Sequence, residues 1–227
     1  MGPADGRNRF SGVGPPWPKK SNVGVCMIVI VDYGMGNLRS VQKGFEKVGA
    51  AAVVSRDQEE VRTADKLVLP GVGAFPQCME NLRGLDLVEP VIEFIKSGRP
   101  FLGICLGLQL LFDESEEFGA HEGLKLVPGK VKAFDRSMGL TIPHMGWNEV
   151  HFKGDVPIFR GIEDGSHFYF VHSFYVNPAD RRDVAAETEY GITFTCAVHR
   201  ENMFAVQFHP EKSQSIGLQI LANFSQI

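Results

Sequence analysis

No apolar run in this 227-residue chain approaches the roughly 20 residues that a membrane-spanning helix needs, and no stretch reads as a signal peptide. Membrane insertion is not expected. Cysteine is scarce: Cys26, Cys78, Cys105 and Cys196 show neither C-x-x-C pairing nor regular spacing. That argues against a disulfide framework or a zinc site and for reduced thiols in a cytoplasmic setting. No excess of one charge sign exists either, since 23 Lys plus Arg face 27 Asp plus Glu, a net charge of −4 with no long run of either sign. Nucleic-acid binding is therefore not expected. None of the seven histidines pairs at zinc-site spacing, and no metal or cofactor is expected.

What is present suffices for one large domain, because 44% of the residues are hydrophobic. Residues 1 to 26 stand apart, holding glycine, proline and charge without periodicity, and read as a disordered extension ahead of a domain at 27–227. Met27-Ile28-Val29-Ile30-Val31 is a continuous apolar run, the pattern of a strand covered on both faces. The loop Asp32 to Asn37 follows, then a helix face of Leu38, Val41, Phe45 and Val48 that stops at Gly49. Gly34 and Gly36 lack the third glycine of a dinucleotide turn, so a tight turn without ligand is the better reading. Ala51–Val54 and Lys66–Leu69 read as further strands, and helices follow around Phe75 to Leu82 and Leu87 to Ile95. This alternation predicts an α/β fold, an open and mostly parallel sheet flanked by helices, with ligands bound beyond the strands' carboxyl ends.

Past Leu111 the pattern changes. Asp113, Glu114, Glu116 and Glu117 form a charge run that reads as a solvated helix end. Lys130–Phe134, Trp147–Phe152, His167–Val176 and Thr193–Val198 then suggest antiparallel hairpins, with a turn at Glu201-Asn202 before the strand Met203–Phe208. Ser213 is expected to cap a last helix facing inward through Ile216, Ile220, Leu221 and Phe224.

Chemistry concentrates at Phe101-Leu102-Gly103-Ile104-Cys105-Leu106-Gly107. The cysteine sits where an apolar strand gives way to leucines at helical spacing, and glycines flank it at two residues on either side, the spacing of a nucleophile elbow. Amides at a helix start favour thiolate over thiol, although a plain buried cysteine is an equal reading of this stretch alone. His209-Pro210-Glu211 ends an apolar strand, and in extended backbone residues two apart project to one side, so the carboxylate can orient the imidazole. Cys105, His209 and Glu211 together supply nucleophile, base and orienting group. Cys78 and Cys196 read as core residues, and His121, His151 and His199 as solvated.

Gly103-Ile104-Cys105-Leu106-Gly107-Leu108-Gln109, Pro70-Gly71-Val72-Gly73 and His209-Pro210-Glu211, in that spacing, resemble the triad (class I) glutamine amidotransferases over Met27 to Ile227. More narrowly, Asp32 to Leu38, Pro143-His144-Met145-Gly146-Trp147-Asn148 and Tyr169 to Tyr175 are similar to the glutaminase subunits of imidazole glycerol phosphate synthases. The resemblance implies that Cys105 attacks the side-chain amide of L-glutamine, that His209 protonates the departing ammonia, and that Glu211 fixes its tautomer. It implies an oxyanion held by amides of Leu106 and the Gly71-Val72-Gly73 segment, with Gln109 on the amino-acid end of the substrate. A flipped peptide in that segment would switch the enzyme between idle and active states. No acceptor domain follows Phe224, so the resemblance implies a separate (β/α)₈ barrel cyclase in a heterodimer, with Asn37, Met145, Trp147 and Lys212 at the interface. Trp147 also has a plain core reading. The alternative is a glutaminase of the same class serving anthranilate, guanylate or pyridoxal phosphate synthesis.

Overall fold

A computed structural model describes residues 26–227, so the extension expected at residues 1 to 26 lies outside the described residues except for the exposed Cys26. Strand and helix alternate at first: β1 Met27–Val31, α1 Leu38–Lys47, β2 Ala51–Ser55, α2 Gln58–Thr63, β3 Lys66–Gly71, α3 Phe75–Gly84, α4 Val88–Lys96 and β4 Phe101–Cys105. Helix α2 has no apolar stripe to announce it. Its start is set instead by Asp57, whose carboxylate accepts from the amides of Glu59 and Glu60. After the single turn α5 Leu106–Gln109 come strands β5 Phe112–Ser115, β6 His121–Glu122, β7 Val127–Ala133, β8 His144–Phe152, β9 Ser166–His172, β10 Phe174–Pro178, β11 Val184–Tyr190, β12 Ile192–Arg200 and β13 Met203–Val206, and finally α6 Gln214–Gln226.

Strands β2, β1, β3, β4 and β13 lie side by side and all pair in parallel. Strands β1, β3, β4 and β13 are buried on both faces, which is why they read as apolar runs, whereas β2 at the edge is only partly buried. Along β1 and β3 the side chains alternate between two cores: Val29, Val31, Leu67 and Leu69 join α3 and α4 on one face, and Ile28, Ile30 and Val68 join α1 and α6 on the other. Burying each such side chain contributes roughly 1.5–3 kcal/mol. The sheet continues past β13 through β12, β10, β7 and β5 to β6, while β11 pairs β12 and leads through β8 to β9.

Three expectations fail here for identifiable reasons. The acidic run is no helix end: Phe112–Ser115 is a strand, Asp113 accepts from the amide of Gly129, and Glu114 pairs with Lys130. Those carboxylates find cross-strand partners that a one-dimensional reading cannot see. The segment from His167 to Val176 is two strands with a break at Ser173, β9 pairing β8 and β10 pairing β7 and β12, so the chain passes from one layer to another there. Ser213 stands at the start of α6, yet its hydroxyl makes no cap and donates to the His209 carbonyl instead.

Candidate active site

Cys105 is the last residue of β4 and has φ +55° and ψ −109°, a backbone conformation that costs a non-glycine residue on the order of 1–3 kcal/mol. Tight packing maintains it. A Cβ on Gly107 would lie 1.8 Å from the Leu69 carbonyl oxygen, and one on Gly103 would lie 2.8 Å from the Gly107 oxygen. The elbow thus requires glycine on both sides. The helix beyond is shorter than the leucine spacing suggests, because α5 ends at Gln109 and Leu110 and Leu111 turn into β5 while staying buried. Its field at the sulfur is that of one turn only.

His209 follows β13, and its amide donates to the Tyr169 carbonyl at 2.9 Å. Its Nδ1 lies 2.8 Å from Glu211 Oε1, and both side chains are buried. A carboxylate can only accept, so Nδ1 carries a proton and Nε2 is left for the substrate side. Residues 210–212 form a 3-10 turn rather than the expected extended link, and the turn carries the Glu211 carboxylate round to the imidazole. Among the described residues, His209 Nε2 and Glu211 Oε2 are the buried side-chain polar atoms without a hydrogen-bond partner. Burial alone would depress the imidazole, but the nearby Cys105 sulfur and the Glu211 carboxylate outweigh it and push His209 up to about 10. The arrangement favours the imidazolium form of His209.

Opposite stands the end of β3. Gly71 pairs with Cys105 in the sheet, and a Cβ there would meet Tyr33 Oη at 2.4 Å. Tyr33 donates to the Pro70 carbonyl at 2.8 Å, and the Cys78 thiol reaches the Val72 carbonyl at 3.6 Å, so this turn is held from behind. Gly73 has φ +93°. A cavity of about 270 Å³ lies between these elements, lined by Val72, Gly73, Cys105, Leu106, Gln109 and His209 among others. That volume is at the small end for ligand sites and suits an amino acid better than a nucleotide.

Residues 29–226 match the family model described as glutamine amidotransferase class-I. The chain belongs to that family. Among curated relatives it is 59% identical to the imidazole glycerol phosphate synthase subunit HisH of Syntrophotalea carbinolica, covering 88% of this chain and 100% of that one. The subunit of the same name from Geobacter metallireducens is 55% identical over 88% of this chain and 98% of its own. Solved structures share the fold at low identity: a glutamine amidotransferase at 18% identity and TM-score 0.68, covering 90% of this chain and all of that one, and PurLQS from Thermotoga maritima at 16% and 0.64, covering 88% and 95%.

The fold gathers Cys105, His209, Val72, Gly73, Leu106 and Gln109 of this amidotransferase around one cavity, with Glu211 behind the histidine; Gly71 lies behind the wall, where its role is to let the backbones approach. Gln109 is less free than expected, because its side-chain nitrogen donates to the Phe174 carbonyl and to Gln207 Oε1, both at 3.0 Å. Sequence reading missed two residues of the site. Glu117, in the acidic run that reads as solvated, lines the cavity and accepts from the Phe75 amide at 2.7 Å; burial raises its pKa, and that amide offsets part of the rise. Gln207, two residues before His209, donates to Cys105 Sγ at 3.7 Å. Its place in the stretch Phe204 to Phe208 gave no polar signal other than being the one amide in an apolar run. The four expected interface residues lie apart from the cavity. Met145 and Trp147 are 62% and 46% exposed, so the core reading of Trp147 fails. Lys212 is also exposed and sits over the ring of Tyr169, which Trp147 approaches edge-on, whereas Asn37 is exposed at the start of α1.

Proposed function

We propose that this site hydrolyses the side-chain amide of glutamine on Cys105 and delivers the ammonia to a second chain. The thiolate attacks the amide carbon, and the oxygen becomes an oxyanion held by the Leu106 amide and by amides of the Val72–Gly73 turn. Removing one such donor typically costs about 10²- to 10³-fold in rate. His209 gives its Nε2 proton to the departing nitrogen, leaving a glutamyl thioester and free ammonia. The now neutral imidazole takes a proton from water, the resulting hydroxide attacks the thioester, and glutamate leaves as the sulfur is restored as thiolate and His209 as imidazolium. The balance is one water and one amide in, one carboxylic acid and one ammonia out. Glu211 holds the imidazole's tautomer throughout and stabilises its positive form whenever it carries the second proton.

The observation that carries this reading is the buried His209–Glu211 pair with an unpartnered Nε2 on the same cavity as a strained cysteine. Glu117 at the cavity wall offers a carboxylate to the substrate's ammonium group. Identities of 50–59% to chains named as the same synthase subunit make this chain a glutaminase of the imidazole glycerol phosphate synthase type, acting in histidine biosynthesis. They favour it over the anthranilate, guanylate and pyridoxal phosphate alternatives. The acceptor is a (β/α)₈ barrel cyclase, and the patch of Met145, Trp147, Tyr169 and Lys212, with Asn37, is its docking surface. Exposed large apolar side chains are expected at such a surface. Lys212 directly follows Glu211, so docking there would act on the turn that holds the catalytic carboxylate.

The test is glutamate release with and without the cyclase and its nucleotide. Release is expected to rise sharply with both and to vanish in Cys105→Ala; steady hydrolysis by that variant would overturn the assignment.

A further inference from the structure

We infer that Gln207 is a positioning residue for the nucleophile, aiming a side-chain N–H at Cys105 Sγ to hold it as thiolate. This rests on Cys105 being the attacking group. The two residues are brought together by strand register: Val206 of β13 stands beside Ile104 of β4, so the next residues along, Gln207 and Cys105, are neighbours at the ends of their strands. Gln207 is fully buried, with its Nε2 at 3.7 Å from the sulfur.

The orientation of that amide is dictated by its surroundings. The Phe174 carbonyl can only accept, so it must face the nitrogen of Gln109, at 3.0 Å. The second N–H of the same nitrogen points to the Gln207 side chain at 3.0 Å, which must therefore present its oxygen there. Only the NH₂ of Gln207 is then left for Cys105. The Phe174 carbonyl is itself pinned by His172 Nδ1 at 2.8 Å. A flipped Gln207 would set oxygen against sulfur and nitrogen against nitrogen, losing both bonds for a side chain that is itself fully buried.

A donor aimed at sulfur favours the charged form, because an N–H is a far better partner for a thiolate than for a thiol. His209 faces the sulfur from the segment after β13, Tyr33 and Cys78 lie behind the end of β3, and His172 and Glu117 line the cavity wall. Of these His209 alone supplies positive charge, and it must give up its proton during the reaction. Gln207 is the donor that stays constant, so it keeps the sulfur in place and ionised while the imidazole changes charge.

The experiment is the pH dependence of Cys105 alkylation by iodoacetamide, with the modified peptide identified by mass so that the exposed Cys26 is not counted. In Gln207→Met the apparent pKa is expected to rise by about one unit, a tenfold loss of thiolate at a fixed pH below it. Gln207→Glu keeps the shape and the bond from Gln109 but sets a carboxylate against the sulfur, and a larger rise is expected. Glutamine hydrolysis should lose about tenfold in kcat with KM within about twofold. A side chain that only filled space would leave the alkylation profile of Gln207→Met superimposed on that of the native protein, and that result would overturn the inference. In the unaltered chain, one side-chain NH resonance of Gln207 should move as Cys105 titrates and stay still in Cys105→Ala; a still resonance in the native chain sinks the idea without any Gln207 variant. Hydrolysis surviving in Cys105→Ala would refute the nucleophile assignment alone, since alkylation reads the Gln207–sulfur contact whether or not the sulfur reacts with glutamine.

Discussion

His144 Nδ1 donates to His172 Nε2 across 2.9 Å, and the direction of that bond is set at both ends. His172 Nδ1 must donate to the Phe174 carbonyl, which leaves its Nε2 as acceptor, and His144 Nε2 then accepts from Asn148 Nδ2 at 3.3 Å. The pair therefore exists as neutral rings with one permitted arrangement of protons, and its far end is the carbonyl that also fixes Gln109.

Burial depresses both rings, His144 to about 4 and His172 to about 3; the Phe174 carbonyl partly offsets the fall at His172, and the neighbouring histidines add to it. Unfolded histidine titrates near 6.5, so below that pH the unfolded chain binds protons that the folded one refuses. Stability from this pair is complete above about 6.5 and is lost as pH falls toward 4 to 3. Urea unfolding at pH 7.5 and 5 should show that loss, and it should shrink in the double variant His144→Gln, His172→Gln.

His209 behaves oppositely. Its folded value, about 10, lies above the unfolded one, so its contribution is complete below about 6.5 and disappears as pH rises through 10. Nitrogen NMR should find His209 doubly protonated at pH 8 in the native chain, and Cys105→Ala should lower its pKa by removing the sulfur's charge. A neutral His209 at pH 7 in the native protein would contradict the ion-pair assignment.

Gly107→Ala should destabilise on the order of 3 kcal/mol, since the new methyl would meet the Leu69 carbonyl at 1.8 Å and backbone would have to move. Gly84→Ala provides the contrast. That glycine ends α3 with open space around it, and the change should stabilise by roughly 0.5–1 kcal/mol. Denaturant midpoints of the two variants should move in opposite directions.

Glu117→Gln keeps an oxygen for the Phe75 amide and removes only the charge. Glutamine KM should rise about tenfold or more while kcat changes little, the mark of lost ground-state binding to an ammonium. An unchanged KM would remove Glu117 from the substrate's list of partners.

The central parallel strands were legible because burial on both faces leaves an unbroken apolar run, and the elbow because its glycine-flanked cysteine is matched downstream by a histidine two residues from a glutamate. Strand β11 and helix α2 were not read, since the one borrows its burial from neighbours on both sides and the other is announced by its cap alone. Trp147 went to the surface, and Glu117 to the cavity, for reasons of place that no local pattern carries.

By itself the sequence determined which residues are chemically competent: a cysteine between glycines, a histidine two residues from a glutamate, and a glycine-rich turn after a buried strand. Only the tertiary structure decided which of them meet. His209 and Gln207 reach Cys105 because β13, the last strand in the chain, inserts beside β4 in parallel register, a pairing across about a hundred residues that local periodicity cannot specify. The Cys105 sulfur beside His209, and the hydrogen bonds from Gln207 to Cys105 and from Gln109 to Gln207, come into being only with that contact.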